Sequence, residues 1–221
     1  TWWLATKFNL GDTLKAVMAT AISICGVSAA IAAAGSVLAK KEEITYITAL
    51  VILTALPLMV IMPYLATAMN LPNDVAGAWF GGNIDTTAAV VGAGTIHGEE
   101  AQQVAAVVKM AQNVLIGVAA FALALYFVVV VERKPDERPS ANMIWKRFPK
   151  FVLAFMLVSI LVSVGFISAD ASKAIQAWNK WFFAAAFFCI GLELSFKEIG
   201  KMGWPPIIVY LIATVFNTVL A

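Results

Sequence analysis

The sequence predicts an all-α fold, a bundle of membrane-spanning helices of which two are discontinuous. Three observations carry that expectation. Of the 221 residues, 62% are apolar and only 13% are charged, against roughly 25% charged in an average globular chain. The apolar residues run in long blocks, each near the roughly 20 residues that a membrane-crossing helix needs. Two of those blocks carry Gly, Ser, Asn and Asp where their neighbours carry Leu, Ile, Val and Phe.

The first apolar block, 14–39, follows a polar N-L-G-D-T turn and contains I-S-I-C-G-V-S-A-A-I-A-A-A-G-S at 22–36. Before it stands T-W-W-L, with no initiator Met and no cleavable leader. The expectation is therefore the C-terminal portion of a longer protein, with further N-terminal helices as partners. After K-K-E-E at 40–43 comes the plain apolar block 44–69, and after N-L-P-N-D the block 75–95. That third block contains G-A-W-F-G-G-N-I-D-T-T-A-A-V-V-G-A-G at 77–94. The loop I-H-G-E-E at 96–100 leads to the fourth block, 101–131. A charged, Pro-containing loop at 132–149 follows, pinned to the interface by Trp145 and Phe148. Blocks 150–169, 178–195 and 203–221 complete a single transmembrane domain over 1–221.

If each block crosses once and the long loop is cytoplasmic, ten Lys and Arg fall inside and four outside. The positive-inside rule favours that orientation, in a bacterial inner membrane. A re-entrant block would upset the count, and blocks one and three are the candidates. Small residues there have two readings. They let helices pack closely in a membrane, or they mark broken helices, the devices from which transporters build substrate and ion sites. For block three the second reading is favoured, because Gly81 and Gly82 weaken a helix next to Asn83 and Asp85. An ionised acid in such a run costs about 2.5 kcal/mol or more on insertion scales, so Asp85 is a functional candidate by default.

The fourth block adds Gln102, Lys109 and Asn113 on one helix face, with Ala106 between them. Lys109 lies about 12 Å into the block at 1.5 Å per residue. It either snorkels to the interface or turns inward to an anionic partner, for which Asp85 and Glu193 are the candidates. Glu193 itself reads as a solvated helix-end acid and Asn217 as interhelical glue. His97, beside Glu99 and Glu100, reads as an exposed loop residue, with pH sensing as the alternative.

Other classes find little support. The basic residues form no aromatic-interleaved patch, which argues against nucleic acid. Cys25 and Cys189 sit in apolar runs without CxxC spacing, so neither a metal site nor a redox pair is indicated. The H-E-x-x-H, G-x-S-x-G and Walker patterns are absent from the sequence. An intramembrane aspartyl protease would need a second acid, and Asp74 and Asp170 fall in predicted loops. The expectation is not an enzyme and no organic cofactor.

At S-I-C-G-V-S-A-A (23–30), G-G-N-I-D-T-T-A-A-V-V-G-A-G (81–94), V-K-M-A-Q-N-V-L-I (108–116) and G-L-E-L-S-F-K-E-I-G-K-M-G-W-P-P, the chain resembles a known family. It is similar to the bacterial membrane proteins grouped as sulfate exporters, within the superfamily of bile-acid symporters and cation/proton antiporters. The resemblance covers nearly the whole chain. It implies an inverted-repeat fold with broken helices crossing in a transport core, and hence a carrier. Many members have a His-Glu pair where this chain has Asp85-Thr86, so their substrates and coupling ions do not transfer directly.

The expected function is secondary active transport of a small anion, sulfate or a related sulfur oxyanion or sulfonate. The expected substrate site is Ser23, Cys25, Gly26, Ser28, Gly82, Asn83, Thr86 and Thr87, whose hydroxyls and backbone N–H groups bind an oxyanion without net charge. Asp85 and Lys109 are the expected coupling-ion residues. A carboxylate beside an anion repels it, so Asp85 either carries a proton or binds Na+ or pairs with Lys109. The alternatives are a cation/proton antiporter-like carrier with Asp85 as the cation site, and a non-transporting membrane scaffold. A homodimer is left open.

Overall fold

A computed structural model describes residues 1–131, 151–166 and 203–221, with scattered positions between 168 and 188. The loop 132–149, most of block 178–195, and Asp170, Cys189 and Glu193 lie outside the described residues. Among the described residues the ordered elements are all helical.

The first apolar block is two helices rather than one. After a short α1 (Trp2–Lys7), α2 (Asp12–Thr20) runs into a π-helical turn, Ala21–Cys25. The chain breaks at Gly26, with φ 52° and ψ −111°, and restarts as α3 (Val27–Val37). Only glycine takes that backbone easily, and here it also has no room for a side chain. A Cβ on Gly26 would lie 2.6 Å from Val51 Cγ1.

The second block is α4 (Lys41–Ala68), begun by a box in which the Glu43 carboxylate accepts the Lys40 N–H at 2.9 Å. Pro57 and Pro63 lie inside it. The third block breaks as its glycines suggested, into α5 (Asn73–Asn83) and α6 (Thr87–His97). Between them Ile84 and Thr86 are extended. Thr86 caps α6, its Oγ1 accepting the Ala89 N–H at 3.4 Å.

The expected loop at 96–100 shrinks to one residue. His97 closes α6 and α7 (Glu99–Tyr126) starts at once, because Gly98 turns the chain alone with φ 154°. His97 is thus half-buried at a helix end rather than a loop residue, its Nδ1 3.4 Å from Thr67 Oγ1 and its ring edge-on to Phe80. A π-helical turn, Phe127–Val131, extends α7. The described part of the chain ends in α8 (Phe151–Ser163) and α9 (Trp204–Leu220).

Helix α7 is the hub, packing against α5, α6 and α3. Its approach to α5 depends on small residues four apart. A Cβ on Gly77 would come 2.5 Å from the Ala101 carbonyl oxygen, and one on Gly81 2.7 Å from that of Ala105. Such spacing brings backbones together where lipid provides no hydrophobic drive between helices. Opposite this seam, α7 exposes Val107, Met110, Val114 and Val118. The segments Lys41–Ala68 and Glu99–Val131 are each long and apolar enough to cross a membrane.

Candidate functional site

The two helix breaks touch. The Cβ that Gly26 lacks would sit 3.2 Å from Asp85 Cβ and 3.3 Å from the Asp85 carbonyl oxygen. Two helices therefore end at this junction, at Cys25 and Asn83, and two begin, at Val27 and Thr87. The last carbonyls of a helix and its first N–H groups lack intrahelical partners. Each end also carries roughly half a charge, negative at the C-terminus and positive at the N-terminus.

Lys109 serves the negative ends. It is 1% exposed, so it does not snorkel, and its Nζ donates to the Ile24 carbonyl at 2.9 Å and to Gln112 Oε1 at 2.8 Å. Gln112 in turn donates from Nε2 to the Gly82 carbonyl at 3.3 Å. One ammonium and one amide thus bridge the last turns of both broken helices. Of the two candidate partners of Lys109, Asp85 is not in contact with it and Glu193 lies outside the described residues. Among the described residues the ion pair within reach is Lys15 with Asp12, at 2.6 Å. Backbone carbonyls, which a sequence does not display as charges, are the partners of Lys109.

Asp85 serves the positive ends. It is 3% exposed, precedes the cap of α6 directly and lies against Gly26, the cap of α3. Its Oδ2 accepts a hydrogen bond from the Tyr210 hydroxyl at 2.6 Å, a contact spanning 125 positions of sequence. Around it the break is tied into α9. Thr218 Oγ1 donates to Asn83 Oδ1 at 3.1 Å, Asn217 Nδ2 to the Asn83 carbonyl at 3.5 Å, and Trp79 Nε1 to the Thr218 carbonyl at 3.0 Å. The Asn83 amide nitrogen donates to the Met62 sulfur.

The remaining residues divide. Cys25 and Thr87 meet, Sγ to Oγ1 at 3.4 Å, and Asn113 Nδ2 donates to the same Thr87 oxygen at 3.4 Å. Thus Cys25, Gly26, Gly82, Asn83, Asp85, Thr86, Thr87 and Lys109 gather at the junction or in the turns beside it. Ser23 and Ser28 do not join them. Both are exposed, and Ser23 lines a separate groove of about 520 Å³ with Trp2, Thr20, Leu123 and Tyr126. The π-helical turn accounts for Ser23, since one extra residue swings a side chain by about 100°.

Sequence reasoning missed Gln112 and Tyr210. Gln112 stands three residues after Lys109, a spacing that predicts contact on a helix. For Tyr210 the only signal was its place four and seven residues before Thr214 and Asn217, on one polar stripe of α9.

Apolar helices around buried charges, with lipid-type small-residue packing, define a membrane protein with an internal polar site. The chain belongs to the family described as Conserved hypothetical protein 698, which it matches over residues 1–210. It is 41% identical to UPF0324 membrane protein RB9488 of Rhodopirellula baltica, over 100% of this chain and 43% of that protein. A UPF0324 membrane protein of Nitratidesulfovibrio vulgaris is also 41% identical, over 94% of this chain and 38% of its own length. UPF0324 membrane protein CT0845 of Chlorobaculum tepidum is 29% identical, over 98% and 60%. The chain thus spans less than two thirds of the length of each of these relatives. No solved structure gives a significant match.

Proposed function

We propose that the protein is a secondary active transporter of the inner membrane that carries a small anion, with sulfate or a related sulfur oxyanion or sulfonate as the substrate class, and that Asp85 couples the movement to H+ or Na+. One observation carries the reading: two discontinuous helices touch at Gly26 and Asp85, with both half-helix starts beside a buried acid. A scaffold gains nothing from two breaks and two buried charges, each of which costs free energy in a bilayer. A carrier uses them as its site, because freed N–H groups bind anions and freed carbonyls bind cations. In this reading Thr86, Thr87, Cys25 and Asn113 line the anion's place, the crossings are arranged as the inverted repeat that the family resemblance implies, and loop 132–149 is cytoplasmic.

A second reading is a cation/proton antiporter-like carrier. It is favoured by the lack of contact between Lys109 and Asp85, which leaves the carboxylate without a paired cation. Proteoliposomes loaded with radiolabelled sulfate, sulfite or a small sulfonate decide between the two. The anion reading expects counterflow that depends on the anion inside and falls at least tenfold in Asp85→Asn. Counterflow of Na+ or K+ against H+, with no anion dependence, supports the antiporter instead. Folded protein that moves none of these solutes overturns both.

A further inference from the structure

We infer that the species loaded on Asp85 is a proton rather than a metal cation, and that Tyr210 of α9 is the positioning residue that sets this choice. The inference rests on the transport reading above and narrows it. A hard cation such as Ca2+ or Mg2+ takes about six oxygen ligands or more, and a small monovalent ion has a comparable appetite for oxygen. Among the described residues, many oxygens in and beside the junction already accept hydrogen bonds within the protein. The Ile24 carbonyl and Gln112 Oε1 accept from Lys109, the Gly82 carbonyl from Gln112, and the Asn83 carbonyl from Asn217. Asn83 Oδ1 accepts from Thr218, Thr86 Oγ1 from Ala89, and Thr87 Oγ1 from Asn113. The buried side-chain oxygens without a protein partner, among the described residues, are Asn113 Oδ1 and Thr214 Oγ1. With the two carboxylate oxygens of Asp85 these make four side-chain oxygens, fewer than the about six of a hard-cation shell. A proton needs one oxygen.

Tyr210 sharpens the choice. Its hydroxyl hydrogen takes one of the roughly four lone-pair sites of the carboxylate, on Oδ2. A phenol both donates and accepts. The same close contact therefore persists when Asp85 takes up a proton: the phenol donates to the carboxylate or accepts from the carboxylic acid. Loading makes one O–H bond on Asp85 and release breaks it, with the proton drawn from and returned to solution. Other ionisable groups facing Asp85 are few. Lys109 on α7 acts on it electrostatically but is bonded elsewhere, and Cys25 ends the π-helical turn. Helix α4 has no ionisable side chain from Ile47 to Pro63. On α5 and α6 the other ionisable groups, Asp74 and His97, stand at the far ends.

The test is pH-difference infrared spectroscopy of the full-length protein in liposomes, in sodium chloride and in choline chloride. The expected result is a protonated-carboxyl band that titrates identically in both salts and disappears in Asp85→Asn. In Tyr210→Phe the band should persist with its midpoint moved to higher pH, by about one unit, since a donor to the ionised form has been removed. A band that sodium suppresses in wild type overturns the proton assignment. A Tyr210→Phe midpoint equal to wild type, in either salt, overturns the role of Tyr210. Because the band reports protonation and not flux, failure of sulfate counterflow in the same vesicles counts against the transport reading alone.

Discussion

Lys109 places one positive charge where two helices end, and the arrangement sets what its loss should do. A buried carbonyl left without a donor costs roughly 1–3 kcal/mol. Lys109→Met keeps the length and loses the donor, so it should destabilise the protein by about that amount at Ile24, and more if Gln112 also lets go of Gly82. Thermal unfolding in detergent measures this. Asp85→Asn should unfold at a temperature much closer to wild type, because an amide oxygen still accepts from Tyr210. Equal losses in the two variants would mean that Lys109 is held by Asp85 after all. At this scale the sequence displayed the charges but not their partners. An acid and a lysine in apolar runs stand out by cost alone, whereas Ile24 and Gly82 contribute through backbone atoms common to every residue. Tyr210 was hidden for another reason, since tyrosines in apolar helices usually have no ionic partner.

At the scale of the element, Gly26 and the Gly81–Thr86 stretch shape the site. Gly26→Ala should cost about 1–3 kcal/mol from its positive φ, with a further clash on Val51. Adding Val51→Ala should restore part of the loss in a melting experiment, because it removes the atom 2.6 Å from the new Cβ. No rescue at all would mean that backbone strain, and not the close approach to α4, requires the glycine. Both interruptions were legible in outline from small and polar residues gathered in apolar runs. Their phase was not. The π-helical turn Ala21–Cys25 leaves no mark in side-chain periodicity, so Ser23 and Ser28 looked like neighbours of Asp85 and turned out to face away. Gly98 misled in the opposite direction, since the I-H-G-E-E run read as a loop where one glycine makes the turn.

For the whole molecule, the all-α membrane architecture was readable from block lengths and composition, because lipid forces backbone polar groups to bond within each segment. Sidedness rests on the charge count. In a background lacking Cys25 and Cys189, Ser140→Cys should react with a membrane-impermeant maleimide in inside-out vesicles and resist it in right-side-out ones. The reverse pattern would invert the topology and place the 132–149 loop outside.

The wide sequence spacing of the junction also has a consequence for biogenesis. Domains emerge from the ribosome N-terminus first. When Lys109 emerges, the Ile24 and Gly82 carbonyls already exist to receive it, so its charge has a destination as soon as α7 enters the bilayer. Asp85 has no such provision. It is made early, and the hydroxyl that completes its surroundings arrives 125 residues later. Until α9 has been made, Asp85 therefore lacks the hydroxyl that bonds it in the finished fold.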